Sequence, residues 1–137
     1  MNQHRTLLAR PMARKLVLVV DDELPIRDLL ANLLGHLGHV WETACDAAEA
    51  LSKVEKAEFD LVLTDLDMPG MNGYELAREI KRRKQRMPVV LITGSSPQNV
   101  PPHIDRVLLK PFSESSLRWE KCSLFEISKF MSSSGRH

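Results

Sequence analysis

The sequence lacks several features that would point to whole classes of protein. Its only two cysteines, Cys45 and Cys122, form no CxxC pair and its five histidines are scattered, so neither a disulfide framework nor a zinc site is indicated. No apolar stretch approaches the roughly 18 residues that suggest a membrane-spanning helix, and no apolar signal segment follows the N-terminus. We therefore expect a soluble, cytoplasmic protein with no membrane contact.

The sequence also has no excess of one charge. Lys and Arg number 19 against 18 for Asp and Glu, a balance that gives no general attraction to nucleic acid. Basic residues concentrate in positions 1–15 and in the run KRRKQR at 81–86. Because such runs usually belong to solvated faces, we infer no nucleic-acid site from either.

Hydrophobic patterning predicts five short strands that alternate with helices. We expect strands at 16–20, 39–44, 59–64, 89–93 and 106–109, and helices at 25–37, 47–57, 73–84 and about 113–127. Asp46 and Asn72 are the expected N-caps, and Gly38 is the expected C-cap of the first helix. Residues 94–105, GSSPQNVPPHID, carry three prolines, so that at most one turn of a fourth helix can form there. The alternation predicts an α/β fold of three layers, with a parallel sheet joined by right-handed crossovers.

The length of 137 residues suits one domain. We expect this domain to span residues 15–127. Residues 1–14 are interpreted as a flexible leader and residues 128–137 as a disordered tail.

Carboxylates follow two of the predicted strands. Asp21 and Asp22 come directly after LVLVV, and Asp65 follows LVLT with Asp67 two residues further on. Runs of valine and leucine are typical of strands buried on both faces, and ligands bind at the edge where such strands end. Crowded carboxylates repel one another unless a cation joins them, and Mg²⁺ prefers oxygen ligands. The pattern predicts a magnesium site at this edge.

Four segments, VLVVDDE, LVLTDLDMPGMNGYEL, VVLITG and LLKPF, stand in this order in the chain. Together they resemble the receiver domain of two-component response regulators over about residues 15–127. Each segment alone is weak evidence for this family, but the four segments together, in this order and spacing, are highly specific for it. The resemblance implies a flavodoxin-like doubly wound sandwich with a five-stranded parallel sheet of order 2-1-3-4-5, and here with a shortened or missing fourth helix.

The resemblance also implies how the acidic residues are used. Asp65 would be the phosphoacceptor, whose carboxylate attacks the phosphorus of a phosphohistidine on a sensor histidine kinase or a histidine phosphotransfer protein. Asp22 and Asp65 would bind Mg²⁺ directly, Asp21 would do so through water, and the backbone carbonyl of Asp67 would be a further ligand. Glu23 is interpreted as an acid at the start of a helix.

Two residues complete the implied site. Thr93 would hydrogen-bond the phosphoryl group, and Lys110 would neutralise its charge from the side opposite Mg²⁺. The chain would then act as a phosphorylation-controlled switch rather than as an enzyme. Its cognate kinase, downstream partner and oligomeric state are left open.

Three features depart from the family pattern. Val107 stands where receivers usually carry Tyr or Phe, and a β-branched aliphatic cannot swing between buried and exposed positions as an aromatic ring does. The proline-rich 94–105 segment removes most of the fourth helix, which forms an output or dimer surface in many members. Asp67 adds a negative charge beside the phosphorylation site, and we expect it to tune phosphoryl lifetime or metal affinity.

The sequence argues against three alternatives to a switch. A pseudo-receiver that acts as a constitutive interaction module is opposed by the intact acids, Thr93 and Lys110. A metal-dependent hydrolase lacks an additional general acid and a P-loop. A flavodoxin-like cofactor binder would need a phosphate-cradling loop where the sequence has Asp21, Asp22 and Glu23.

Overall fold

Five parallel strands and three helices alternate along residues 14–109, the part of the chain that the computed structural model describes. The strands are β1 (Leu16–Val20), β2 (Val40–Ala44), β3 (Leu61–Asp65), β4 (Val89–Thr93) and β5 (Arg106–Leu109). The helices are α1 (Leu24–His36), α2 (Ala47–Lys56) and α3 (Gly73–Arg83). The predicted leader, the helix at about 113–127 and the tail lie outside the described residues.

The sheet has the order β2-β1-β3-β4-β5, and every neighbouring pair is parallel. The predicted order 2-1-3-4-5 is therefore confirmed. Every residue of β3 and β4 is buried, as their continuous aliphatic runs require. β2 lies at the edge, where Val40 and Trp41 are exposed.

Helices cover both faces of this sheet and bury two separate clusters of side chains. On one face α1 contributes Leu30, Leu33 and Leu34, which pack with alternate residues of β1, β3 and β4. On the other face α2 and α3 pack against the residues of opposite parity, as the two-residue period of a strand demands. The three-layer α/β class is thus confirmed.

Local sequence signals place the helix ends. The Asp46 side chain accepts a hydrogen bond from the Glu49 backbone N–H, and Asn72 and Glu75 form a reciprocal capping box at the start of α3. Gly38 follows α1 with φ +84°, a conformation that favours glycine. The predicted N-caps Asp46 and Asn72 are confirmed, whereas the C-cap of α1 is Leu37 and Gly38 is the residue that follows it.

The predicted start of the third strand at residue 59 is wrong, because β3 begins at Leu61. The Asp60 side chain accepts a hydrogen bond from the Leu16 backbone N–H at 2.8 Å. A side-chain carboxylate thus takes the position that a backbone carbonyl has in a regular parallel ladder. Phe59 is buried as part of the core, outside the strand. The predicted lack of a regular helix at 94–105 is confirmed.

The basic run at 81–86 is largely paired with acids of the same chain, in agreement with its interpretation as a solvated face. Its ion pairs join Lys81 to Asp105, Arg82 to Glu79, Arg83 to Glu55 and Glu79, and Lys84 to Glu58. These contacts connect α3 to α2 and to the chain before β5. Within residues 14–109, no helix combines the length and apolar character that crossing a bilayer requires.

Candidate functional site

Three carboxylates meet at the C-terminal edge of the sheet. Asp21 and Asp22 follow β1 and Asp65 ends β3, and these two strands are neighbours. Their ligand oxygens all lie within 4.8 Å of one another. Asp21 and Asp65 are only 1% and 6% exposed, whereas Asp22 is exposed to solvent. Two of the three carboxylates are therefore buried, and the third is accessible to solvent.

The turn that carries Asp21 is fixed by three hydrogen bonds. The Asp21 backbone N–H donates to the Ala44 carbonyl at 3.1 Å, and Asp21 Oδ1 accepts from the Glu23 backbone N–H at 2.9 Å. Arg27 Nη1, from the first turns of α1, donates to the Asp21 carbonyl at 2.7 Å. The sequence did not reveal this role of Arg27, although a basic residue shortly after an acidic pair is a signal that could have suggested it.

The backbone carbonyl of Asp65 is held by a hydrogen bond and by a close contact. Thr64 Oγ1 donates to the Asp65 carbonyl at 2.9 Å, and a Cβ atom on Gly73 would come within 3.0 Å of that same carbonyl oxygen. Positive φ among the described glycines occurs at Gly38 and Gly70, so Gly73 is required for space rather than for its backbone conformation. The sequence predicts Gly73 as the first residue of a helix but does not reveal this contact.

Thr93 lies beside the carboxylates. It ends β4 one residue after Ile92, the residue that pairs with Asp65, and it is 1% exposed. Its hydroxyl accepts a long hydrogen bond of 3.5 Å from the Ser95 backbone N–H. Asp67 is exposed and follows Asp65 by two residues.

Lys110 lies outside the described residues. The preceding residue, Leu109, ends β5 and pairs with Thr93. Val107, at the position where an aromatic ring is usual in the family, is half-buried, pairs with Leu91 and packs against the core cluster that includes α2 and α3.

The donor set at this edge fits a hard divalent cation. Three carboxylates converge, they supply only oxygen ligands, and the exposure of Asp22 leaves room for water or phosphate oxygens. Mg²⁺ usually takes few protein carboxylates and completes its coordination with such oxygens. The residues present therefore suit the ion that the sequence predicts.

A second group of possible ligands, Cys45, Asp46 and Glu49, follows β2 but is explained by local structure. Asp46 caps α2, and Glu49 accepts a hydrogen bond from the Cys45 backbone N–H at 2.9 Å. Lys53 Nζ lies 3.5 Å from a Glu49 oxygen and already supplies a positive charge. A separate hydrogen bond, between the Cys45 thiol and the Glu49 carboxylate, raises the pKa of the thiol, which disfavours the thiolate that a metal would bind.

The comparison with known protein families agrees with this geometry. The family model of the response regulator receiver domain matches residues 17–120. The chain belongs to this family.

Two curated relatives are similar over part of their length. The sensor histidine kinase RcsC of Salmonella typhimurium is 42% identical over 81 residues, which is 59% of this chain and 8% of that protein. The two-component response regulator PhoP of Pseudomonas aeruginosa is 40% identical over 78 residues, or 57% of this chain and 35% of that protein. The chain therefore spans only a small part of each.

Solved structures of similar domains cover most of the chain. The chemotaxis protein CheY4 of Vibrio cholerae has a TM-score of 0.68 and 29% identity, covering 82% of this chain and 99% of that one. The response regulator TrrA of Thermotoga maritima, solved with Mg²⁺ and BeF, has a TM-score of 0.67 and 35% identity, covering 80% of this chain and 98% of that one. TrrA has also been solved in complex with the histidine kinase ThkA.

Proposed function

We propose that this receiver domain accepts a phosphoryl group on Asp65 from the phosphohistidine of a sensor histidine kinase or a histidine phosphotransfer protein. The observation that carries the proposal is the convergence of Asp65 with Asp21 and Asp22 at the end of β3, with ligand oxygens within 4.8 Å of one another. An acidic residue that only ended a strand would not require two further carboxylates beside it.

The reaction would begin with a carboxylate oxygen of Asp65 forming a bond to phosphorus. The phosphorus–nitrogen bond of the donor breaks, and its electron pair leaves with the imidazole nitrogen, which yields an acyl phosphate. The rigid support of the Asp65 backbone by Thr64 and Gly73 favours this step, because phosphoryl transfer depends mainly on positioning and charge neutralisation.

The remaining residues would stabilise the added charge. Mg²⁺, when bound, supplies positive charge against the phosphoryl oxygens; Asp22 and Asp65 would hold it directly, Asp21 through water, and the Asp67 carbonyl as a further ligand. The Thr93 hydroxyl would donate to a phosphoryl oxygen. The Lys110 ammonium would neutralise the phosphoryl charge from the other side.

The similar solved structures support Mg²⁺ as the metal and a histidine kinase as the phosphoryl donor. TrrA binds Mg²⁺ and BeF in its crystal structure and forms a complex with a histidine kinase. By extension we propose that the present chain uses Mg²⁺, works in the cytoplasm and acts as a phosphorylation-controlled switch rather than as a turnover enzyme.

Intact-protein mass spectrometry after incubation with acetyl phosphate tests the proposal. We expect a mass gain of one phosphoryl group in the presence of Mg²⁺ and none after chelation with EDTA. The absence of any gain with Mg²⁺, from acetyl phosphate and from histidine kinases alike, would contradict it and favour a pseudo-receiver that acts as an interaction module.

A further inference from the structure

Residues 94–105, here called the strap, connect β4 to β5 without a helix, and the C-terminal end of the strap is held by packing and hydrogen bonds. Ile104 is 8% exposed and belongs to the core cluster that includes α3. Asp105 Oδ2 accepts hydrogen bonds from the Val89 backbone N–H at 2.8 Å and from Lys81 Nζ at 2.7 Å. The strap is therefore an ordered part of the domain at its C-terminal end.

One further contact ties the strap to the start of α3. His103 Nε2 lies 3.0 Å from the backbone carbonyl oxygen of Tyr74. A carbonyl oxygen can only accept, so Nε2 carries the proton and donates. The bond is partly buried, which limits the competition from water.

Tyr74 directly follows the residue that contacts the proposed phosphoacceptor. Gly73 packs against the Asp65 carbonyl, and its N–H donates to the Leu66 carbonyl at 2.8 Å. Because Gly73 packs so closely against the Asp65 carbonyl, a shift of the Asp65 backbone would displace the first residues of α3. The Tyr74 carbonyl would move with them.

The other end of the strap begins at Thr93, whose hydroxyl accepts the bond from the Ser95 N–H. Between the two ends, Gln98, Asn99 and Val100 are exposed. The strap is thus attached at one end to the residue proposed to bind the phosphoryl group, and at the other end to the helix that abuts Asp65.

We propose that the His103–Tyr74 hydrogen bond is a relay that transmits the phosphorylation state of Asp65 through Gly73 and α3 to the strap. This inference rests on the proposed phosphorylation of Asp65. It gives the chain a route to residues 94–105 that does not use an aromatic ring at position 107, where Val107 cannot change its orientation in that way. Packed elements have discrete arrangements rather than continuous ones, so a small shift at Asp65 can alter the strap as a unit.

Hydrogen exchange of the full chain tests the relay, with Mg²⁺ and beryllofluoride as the phosphoryl mimic. We expect the adduct to slow amide exchange in peptides from residues 94–105 by about fivefold or more, the lower range of ordinary allosteric coupling. His103→Phe removes the donor and keeps a ring, and it should lose this response. His103→Gln can still donate an amide proton to the Tyr74 carbonyl and should retain it.

Asn99→Ala is the matched control within the strap, because Asn99 is exposed, and its response should equal that of the unsubstituted chain. Adduct formation is measured separately by native mass spectrometry in every sample. If the unsubstituted chain forms no adduct, the proposed function fails and the relay fails with it. If the adduct forms but strap exchange does not change, or if His103→Phe responds as fully as the unsubstituted chain, the relay alone is overturned.

Discussion

Gly73 contacts Asp65 so closely that even a methyl group would not fit between them: a Cβ atom on Gly73 would come within 3.0 Å of the Asp65 carbonyl oxygen. The same Cβ would also meet Leu91 Cδ1 at 2.9 Å and the Leu66 Cα at 3.0 Å. Two of these three neighbours are backbone atoms, which cannot rotate away. The first residue of α3 therefore packs directly against the backbone of the proposed phosphoacceptor, with no room for a side chain.

Gly73→Ala should consequently impair both stability and phosphorylation. We expect the free energy of unfolding to fall by about 1–3 kcal/mol, as for other overpacked sites, and phosphorylation by acetyl phosphate to slow. Gly35→Ala is the matched control, because its Cβ would meet only the Trp41 ring, at an ordinary 3.5 Å. Since Gly35 lies in α1, this control should be neutral or more stable by up to about 1 kcal/mol. Equal urea-unfolding midpoints for the two variants would show that the Asp65–Gly73 contact is not tight.

Asp67→Asn should weaken Mg²⁺ binding and change the lifetime of the acyl phosphate. Asp67 places a negative charge two residues from Asp65, but it is exposed, so we expect the Mg²⁺ affinity to fall by only roughly two- to fivefold. Calorimetric titration and the rate of phosphoryl loss measure the two effects. Glu58→Gln removes a charge of the same sign just before the opposite end of β3 and should change neither. If Asp67→Asn matches the unsubstituted chain in both quantities, Asp67 has no tuning role.

His39 should make folding stability depend on pH. It is 4% exposed, and its Nδ1 accepts the Lys15 backbone N–H at 2.9 Å, a bond that only the neutral ring can make. Burial lowers the pKa of His39 and the charge of Lys15 lowers it further, whereas Asp60 raises it. The unfolded chain therefore binds the proton more readily, and the stability present above pH 6.5 should decline as the pH falls below it.

Urea unfolding between pH 5.5 and 7.5 measures this dependence. His39→Asn supplies a side-chain oxygen to the Lys15 N–H without a titrating ring, so it should flatten the decline. His36→Asn, at the exposed end of α1, should leave the decline unchanged. An undiminished decline in His39→Asn would assign the pH dependence to other groups.

The parts of the fold that depend on local pattern could be predicted from the sequence. The aliphatic runs gave the strands, and their parallel order brought Asp21, Asp22 and Asp65 to one edge. Asp46 is a cap that acts within one turn, so its role is also readable from neighbouring residues. The predicted start of β3 is two residues early. The Asp60 side chain accepts the Leu16 N–H where a regular ladder has a backbone carbonyl, although the Asp60 N–H still donates to the Leu16 carbonyl.

The contacts of Gly73 and His103 could not be predicted, because they depend on how separate elements pack against one another. Nothing near Gly73 indicates that it abuts the Asp65 carbonyl, and nothing near His103 points to Tyr74. These contacts depend on the distance and angle at which α3 packs on the sheet. Hydrophobic periodicity specifies the buried face of a helix but not its exact position.

Peptide mapping by mass spectrometry locates the phosphorylated residue directly. After treatment with acetyl phosphate and Mg²⁺, the acyl phosphate can be trapped chemically and assigned within the peptide that contains both Asp65 and Asp67. We predict the label on Asp65, its complete loss in Asp65→Asn and its retention in Asp67→Asn. A label that persists in Asp65→Asn, or that disappears equally in both variants, would contradict the assignment of Asp65 as the phosphoacceptor.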